Sequence, residues 1–392
     1  MTKLQIDLEE ARHAGLDGEA LARLDASIQA DIDNGNNFGA SIIVARGGVI
    51  GHRRSFGTVA PNRQAAENDI YLAMSVSKSF TAALILQAID HGRFSFDTRV
   101  ADILPAFATG GKQRVTVRQL LNHTAGVFAG IIPPPSVSPA EYGDLAKTVA
   151  SICPVPAAYV PGTRCSYTQS LGYSVLGQIL VETDPTKRSF AYIARDDLFA
   201  PLGMADTRFG LDPDNPRRVA VSYTEKLTSP SSAINQQFLN AAHEGTEFPG
   251  WGAYTTVEDT FRFADALRRR GNNGSYRLMS QAMFDYAVQN STGDMSNGAW
   301  DFAREAGGLP DYPANFSLLG GYVRGKGHNL SGAGFTASPG AFCAVGGGST
   351  LWMVDPARDL TFVFLSAGFI EGLEHLQRLC RLSDLALAAC VD

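Results

Sequence analysis

Leu21, Leu24, Ile28 and Ile32 recur at the spacing of one helical face, so residues 17–34 are predicted as an amphipathic helix with Asp17 as its N-cap. The run Gly39-Ala40-Ser41-Ile42-Ile43-Val44-Ala45-Arg46 then reads as a strand. Gly47-Gly48 is a hairpin turn, and Val49-Ile50-Gly51-His52 starts the return strand. From Ser75 to Asp90 the period is helical again, with Phe80, Leu84, Ile85, Ala88 and Ile89 as the apolar stripe and His91-Gly92 as the stop. Residues 170–182, 188–199 and 256–270 are predicted as further helices, whereas Ile131-Ile132-Pro133-Pro134-Pro135 must be a loop. Near the end, the apolar runs Thr350–Val354 and Leu360–Leu365 flank Asp355-Pro356-Ala357-Arg358-Asp359, a strand-turn-strand pattern. A closing helix over 371–389 carries Leu373, Leu376, Leu379, Leu382 and Leu385.

A hairpin and a helix therefore stand at each end of the chain. The economical fold is α/β (α+β): one antiparallel sheet built from both ends and covered by the two terminal helices. The expected division is an α/β lobe from residues 1–70 and 315–392 and a mostly helical lobe from 71–314, within a single catalytic unit spanning 1–392. A cleft between two such lobes is where a small-molecule substrate is expected to bind.

Composition excludes some functions. With 45% hydrophobic and 18% charged residues the chain is of ordinary globular type, and its net charge of −6 offers no basic footprint for nucleic acid or anionic membranes. The start, Met1-Thr2-Lys3-Leu4-Gln5-Ile6-Asp7, has no apolar leader segment, and no apolar run is long enough to span a membrane, so a cytoplasmic location is expected. The five cysteines (Cys153, Cys165, Cys343, Cys380 and Cys390) form no Cys-x-x-Cys pair and suggest neither a disulfide framework nor a zinc site. No metal or organic cofactor is implied.

Three segments carry candidate chemistry. In Ser75-Val76-Ser77-Lys78, the lysine three residues on lies on the same helical face as Ser75, where its amine could take the hydroxyl proton. About one Ser-x-x-Lys match is expected by chance in a chain of this length. Alone, the spacing also fits an N-cap serine followed by a solvated lysine. Tyr167, in Pro161-Gly162-Thr163-Arg164-Cys165-Ser166-Tyr167-Thr168-Gln169-Ser170, could relay a proton if a neighbouring cation such as Lys78 lowered its pKa. Read on this segment alone, a locally satisfied core tyrosine is the better fit. The glycine-rich stretch Ser338-Pro339-Gly340-Ala341-Phe342-Cys343-Ala344-Val345-Gly346-Gly347-Gly348-Ser349 could bring a backbone N–H to a developing oxyanion or could be a flexible turn.

Taken in order, these segments resemble the serine β-lactamase superfamily: class C β-lactamases, penicillin-binding D-Ala-D-Ala carboxypeptidases and the β-lactamase-like esterases of family VIII. Ser75–Lys78 is similar to the family's Ser-x-x-Lys element, and Leu120-Leu121-Asn122-His123-Thr124-Ala125-Gly126-Val127 to its Leu-Leu-x-His-Thr-Ser-Gly-Leu segment. Pro161–Tyr167 resembles the approach to the family's tyrosine, and Trp352–Leu360 its terminal hairpin. The resemblance runs from about Gly39 to Gly368. It implies a β-lactamase/transpeptidase-like fold, catalytic roles for Ser75, Lys78 and Tyr167, and an oxyanion hole from the Ser75 and Gly347 N–H groups. His123 has no acidic partner in view, and the resemblance gives it a structural role.

The chain departs from the family at two places. Thr168 and Gln169 stand where Ser or Ala and then Asn are usual. Ala344-Val345-Gly346 stands where Lys-Thr-Gly occurs in lactamases and His-x-Gly or Trp-x-Gly in esterases. Gln169, Ala344, Val345 and Gly346 are the expected substrate-contacting positions. Without a cation at 344, carboxylate-bearing β-lactams and D-Ala-D-Ala peptides are disfavoured. The expected function is a carboxylesterase or amidase acting through an acyl-enzyme on small, non-carboxylate substrates. The alternatives are a peptidase on short or linearised peptides, an acyltransferase, a weak β-lactamase or D-Ala-D-Ala carboxypeptidase, and a catalytically silent binding scaffold. The loop Phe128–Pro135, with Trp251 and Tyr254, is the expected pocket wall unless those aromatics are core.

Overall fold

Hairpins from the two ends of the chain meet edge to edge. The computed structural model describes residues 6–127, 134, 136–230, 232–327, 329–370 and 372–391. Its strands are β1 (Gly39–Arg46), β2 (Val49–Ala60), β3 (Arg63–Gln64), β4 (Ile70–Leu72), β5 (Arg208–Phe209), β6 (Arg218–Val219), β7 (Ala253–Thr255), β8 (Tyr322–Val323), β9 (Phe342–Gly346), β10 (Thr350–Asp355) and β11 (Leu360–Ala367). The main sheet has the order β3-β2-β1-β11-β10-β9-β8 and is antiparallel throughout. Its centre is the pairing of β1 with β11, which sets Ile43 opposite Val363 and so ties residue 39 to residue 367. Both central strands are buried on both faces, because helices cover each side.

On one face lie the two terminal helices, Gly18–Asp33 and Gly372–Leu387, joined through the buried ion pair Arg378–Asp31. Asp17 caps the first by accepting the Ala20 N–H at 2.7 Å. On the other face, helix Val257–Arg268 packs against β1, β10 and β11. Beyond it runs helix Ser77–Asp90, buried at every position from Ser77 to Ala88. The expected stripe on this helix is thus only part of its buried surface. A helix covered all round can still carry hydroxyls if they are satisfied: Ser77 Oγ accepts the Ala253 N–H, and Thr81 donates to the Pro249 carbonyl.

The middle of the chain contains more than helices. A second sheet, ordered β5-β7-β4-β6, is made of strands two or three residues long and lies beside the turn that leads into helix Ser77–Asp90. The expected helix over 188–199 is an α-helical turn, Phe190–Ala194, that widens into a π-helical turn at Arg195–Phe199. The predicted helices at 170–182 and 256–270 form as Leu171–Thr183 and Val257–Arg268. No helix is long and apolar enough to cross a membrane among the described residues.

Candidate active site

Ser75 sits in a tight 3₁₀ turn, Met74–Val76, that feeds directly into helix Ser77–Asp90. The residue before it, Met74, has φ of +51°, a left-handed conformation that a side-chain-bearing residue holds only when its surroundings impose it. Those surroundings are visible. The Ala73 N–H donates to the Ala253 carbonyl of β7 at 2.7 Å, and the Thr350 hydroxyl of β10 donates to the Ala73 carbonyl at 2.8 Å. The two sheets thereby clamp the turn from both sides and leave Ser75 half-buried at its outer edge.

Lys78 is 1% exposed, with Nζ 3.1 Å from Ser75 Oγ. Its other partners are two backbone carbonyls, Gln169 O at 2.6 Å and Gly250 O at 2.9 Å. It makes no ion pair among the described residues. Burial without a counter-charge pushes its pKa well below the ordinary lysine value of 10.5. An uncharged amine has two N–H donors and one lone pair. The two carbonyls take the donors, and the lone pair is left facing Ser75 Oγ.

Tyr167 packs over the same amine, its ring centre 4.9 Å from Lys78 Nζ, and its hydroxyl is hydrogen-bonded to the Ser75 side chain. The expectation that Lys78 lowers its pKa is corrected: burial pushes the phenol well above 10, with Ser75 only partly offsetting it. The physical reason is that the same burial suppresses the lysine charge that was to do the lowering. Tyr167 is therefore a neutral O–H donor. The Asn297 side chain accepts its backbone N–H at 2.9 Å, and Phe316 stacks on its ring at 5.9 Å.

His123 has no carboxylate partner among the described residues. Its Nδ1 accepts the Thr168 N–H at 3.1 Å, and its ring is enclosed by Tyr167, Tyr173 and Phe316. Burial, then the nearby Lys78, pushes its pKa well below 6.5, which keeps the ring neutral. It fixes the backbone beside Tyr167 and does not reach the cavity.

The end of β9 closes the site. A Cβ built on Gly346 would stand 2.2 Å from Thr350 Oγ1 and 2.6 Å from the Ala73 carbonyl, so only glycine lets β9 approach the Ser75 turn this closely. Gly346→Ala is expected to lower unfolding free energy by about 1–3 kcal/mol, measured by denaturant titration. Gly347 follows at the cavity wall beside Met74 and Phe369.

A cavity of about 540 Å³ opens above these groups. Ser75, Tyr167, Gln169, Val345 and Gly347 line it; Lys78 lies beneath. Ala344 and Gly346 do not reach it. Strand alternation turns Val345 to the cavity and Ala344 into the core with Phe342 and Trp352. Trp251 lines the cavity as expected, whereas Tyr254 is core and donates nothing to it: its hydroxyl accepts from Arg218 at 2.6 Å. The expected loop Phe128–Pro135 lies, apart from Pro134, outside the described residues. Sequence reasoning missed Phe238, Trp300, Tyr322, Phe369 and His375, which come from four separate stretches of chain and carry no local motif. No Asp, Glu, Lys or Arg lines the cavity among the described residues.

The family model described as Beta-lactamase matches residues 24–379. The chain belongs to the Beta-lactamase family. Within that family it is 26% identical over 395 residues to Esterase EstB of Burkholderia gladioli, covering 91% of this chain and 93% of that one. It is 34% identical over 173 residues to Penicillin-binding protein 4 of Amycolatopsis lactamdurans, a match that spans 42% of this chain and less than half, 43%, of that protein. Among solved structures, a penicillin-binding protein homologue from Caulobacter crescentus superimposes with a TM-score of 0.75 at 21% identity, over 96% of this chain and 99% of its own. A family VIII carboxylesterase does so with 0.72 at 20% identity, over 95% and 99%. These superpositions establish the β-lactamase/transpeptidase-like fold. The Beta-lactamase family is one of hydrolases, and the EstB likeness places an esterase among this chain's full-length relatives.

Proposed function

We propose that this chain is a serine hydrolase that cleaves ester or amide bonds of small, non-carboxylate substrates through an acyl-enzyme. One observation carries the reading. A half-buried Ser75 hydroxyl lies 3.1 Å from a buried, ion-pair-free Lys78 amine, at the floor of a cavity whose described walls bear no formal charge.

Ser75 Oγ attacks the carbonyl carbon as its proton passes to Lys78 Nζ. The carbonyl electron pair moves onto oxygen, where the N–H groups of Ser75 and Gly347 stabilise it. Collapse expels the leaving group, which takes the Tyr167 hydroxyl proton, and Lys78 returns its proton to Tyr167. Water then attacks the acyl carbon by the same route in reverse and frees Ser75. The aromatic walls, Trp251, Trp300, Tyr322 and Phe369, favour an apolar acyl or alcohol group.

The walls also set the selection. A substrate carboxylate brought into this cavity loses water and meets no cation, an unpaired charge in an apolar site. A panel of p-nitrophenyl butyrate, an acyl anilide, a peptide ending in D-Ala-D-Ala and nitrocefin tests this. The expected result is kcat/KM for the ester at least about 100-fold above that for either carboxylate-bearing substrate. A fluorophosphonate should add its mass at Ser75. Preference for nitrocefin or the peptide, or no turnover and no labelling, overturns the proposal.

A further inference from the structure

The ester-hydrolase reading uses Ser75, Lys78 and Tyr167 but leaves a buried imidazole on the cavity wall without a task. His375, on helix Gly372–Leu387, is 6% exposed and lines the cavity. Its Nδ1 is 3.0 Å from the Ser349 hydroxyl. Ser349 is fully buried, has φ of +59°, and ends the Gly346–Ser349 turn that carries the Gly347 N–H. The bond with Ser349 fixes both the orientation of the imidazole and the end of that turn. The other ring nitrogen, Nε2, has no hydrogen-bond partner among the described residues. Burial, and the Arg378 guanidinium one turn on, push the ring pKa down to about 3, so it is uncharged at neutral pH.

We infer that His375 is a specificity-determining residue that hydrogen-bonds a hydroxyl group of the substrate, away from the scissile carbonyl. The inference rests on the proposed ester hydrolysis and adds a substrate class to it: hydroxylated esters. The chemistry selects the hydroxyl. Ser349 Oγ can donate to Nδ1 or accept from it, so Nε2 is a donor in one tautomer and an acceptor in the other. A hydroxyl satisfies both. A carboxylate satisfies only one and meets no positive charge on a neutral ring. A substrate that fills the cavity and excludes solvent must leave Nε2 a partner, and a hydroxyl at that point supplies one. Beside the reacting groups and the aromatic walls, Ser166, Gln169 and Asn235 are the other uncharged polar side chains of the lining, and among them His375 is the one whose orientation is fixed by the buried Ser349 hydroxyl, a polar point against which a substrate hydroxyl can register.

The test compares p-nitrophenyl hexanoate with its 3-, 5- and 6-hydroxy derivatives, using the full-length protein. The expected result is kcat/KM at least about tenfold higher for one hydroxylated ester than for the parent. His375→Asn keeps an amide where Nδ1 lies and so preserves the Ser349 contact, but it removes the cavity-facing nitrogen. It should bring that ratio to about one. His375→Gln, whose amide reaches the Nε2 position, should restore part of the ratio. The competing role, in which His375 merely holds the Ser349 turn, predicts the reverse: His375→Asn would be nearly silent and Ser349→Ala would slow all the esters alike. That pattern, or a wild-type enzyme that prefers no hydroxylated ester, overturns the inference. An enzyme that labels at Ser75 and hydrolyses the parent ester without discrimination fails only here. A protein that neither labels nor turns over fails at the hydrolase reading itself.

Discussion

Ser75→Ala is expected to lower kcat/KM for p-nitrophenyl butyrate by about 10⁴-fold or more and to abolish fluorophosphonate labelling, with the melting temperature little changed. The magnitude follows from the nucleophile's place in a unit. Once the attacking oxygen is gone, Lys78 and Tyr167 have no proton to manage, so the loss equals that of the whole constellation. Only binding and oxyanion stabilisation remain to assist attack by water. The effect on stability is small because Ser75 is half-buried at the outer edge of its turn, and the clamp on that turn runs through the Ala73 backbone. Other hydroxyls are present. Ser77 and Ser79 are sealed inside the helix, while Ser166 lines the same cavity. Retained turnover in Ser75→Ala, lost only on changing Ser166, would move the nucleophile to Ser166. Steady-state kinetics with intact-protein mass spectrometry decides between them.

The parts of this molecule that were readable in the sequence are those whose signal is local. An apolar run, a Gly-Gly turn and a second run define β1 and β2, and the register is then set by burial on both faces. The Asp355–Asp359 turn does the same for β10 and β11. Ser75, Lys78 and Tyr167 were readable for another reason: four short motifs in a fixed order carry more information than any one of them, and the fold brings these three side chains together. His123 was readable through the absence of an acid to pair with it.

What escaped was set by tertiary environment. β4, β5, β6 and β7 are two or three residues long, too short for a period to register, and they exist because each completes another's hydrogen bonds. The burial of Ser77 and Thr81 depends on the Ala253 N–H and the Pro249 carbonyl, far away in sequence. The walls of the cavity come from eight separate stretches of chain, so no local motif announces His375. The Tyr167 pKa went wrong for a related reason. A sequence shows that a lysine and a tyrosine are both present, but burial decides the charge on each. Here it neutralises the lysine and raises the phenol together. Ala344 is an intermediate case. The missing cation was legible, while its position behind the strand, with Val345 in front, follows only from the register of β9 on β10.

Lys78→Met is expected to cut kcat by about 10³-fold or more and, at neutral pH, to raise the melting temperature by about 1–3 °C. The two effects have one origin. Folding lowers the pKa of Lys78 well below 10.5 because it buries the amine among carbonyls, with no carboxylate beside it among the described residues. The unfolded chain, with an ordinary lysine, binds the proton more tightly than the folded one. At every pH below about 10 proton uptake therefore favours unfolding, and stability from this residue increases as pH rises toward the unfolded value. The free base needed to take the Ser75 proton is thus held at the expense of stability. Methionine matches the length of the lysine stem and carries no charge to desolvate. Against this, Gln169 O and Gly250 O each lose a donor, an opposing effect of about 1 kcal/mol apiece. The sign can be checked by calorimetry across pH 6 to 10. The advantage of Lys78→Met should be largest at the acid end and shrink toward pH 10, while the acid limb of wild-type kcat/KM falls well below the ordinary lysine range. A variant less stable than wild type at pH 6, and no more so at pH 10, would mean that the carbonyls hold a charged ammonium. Tyr167 would then be left, among the described residues at the site, to take the serine proton, and its raised pKa leaves too little phenolate at neutral pH to do so.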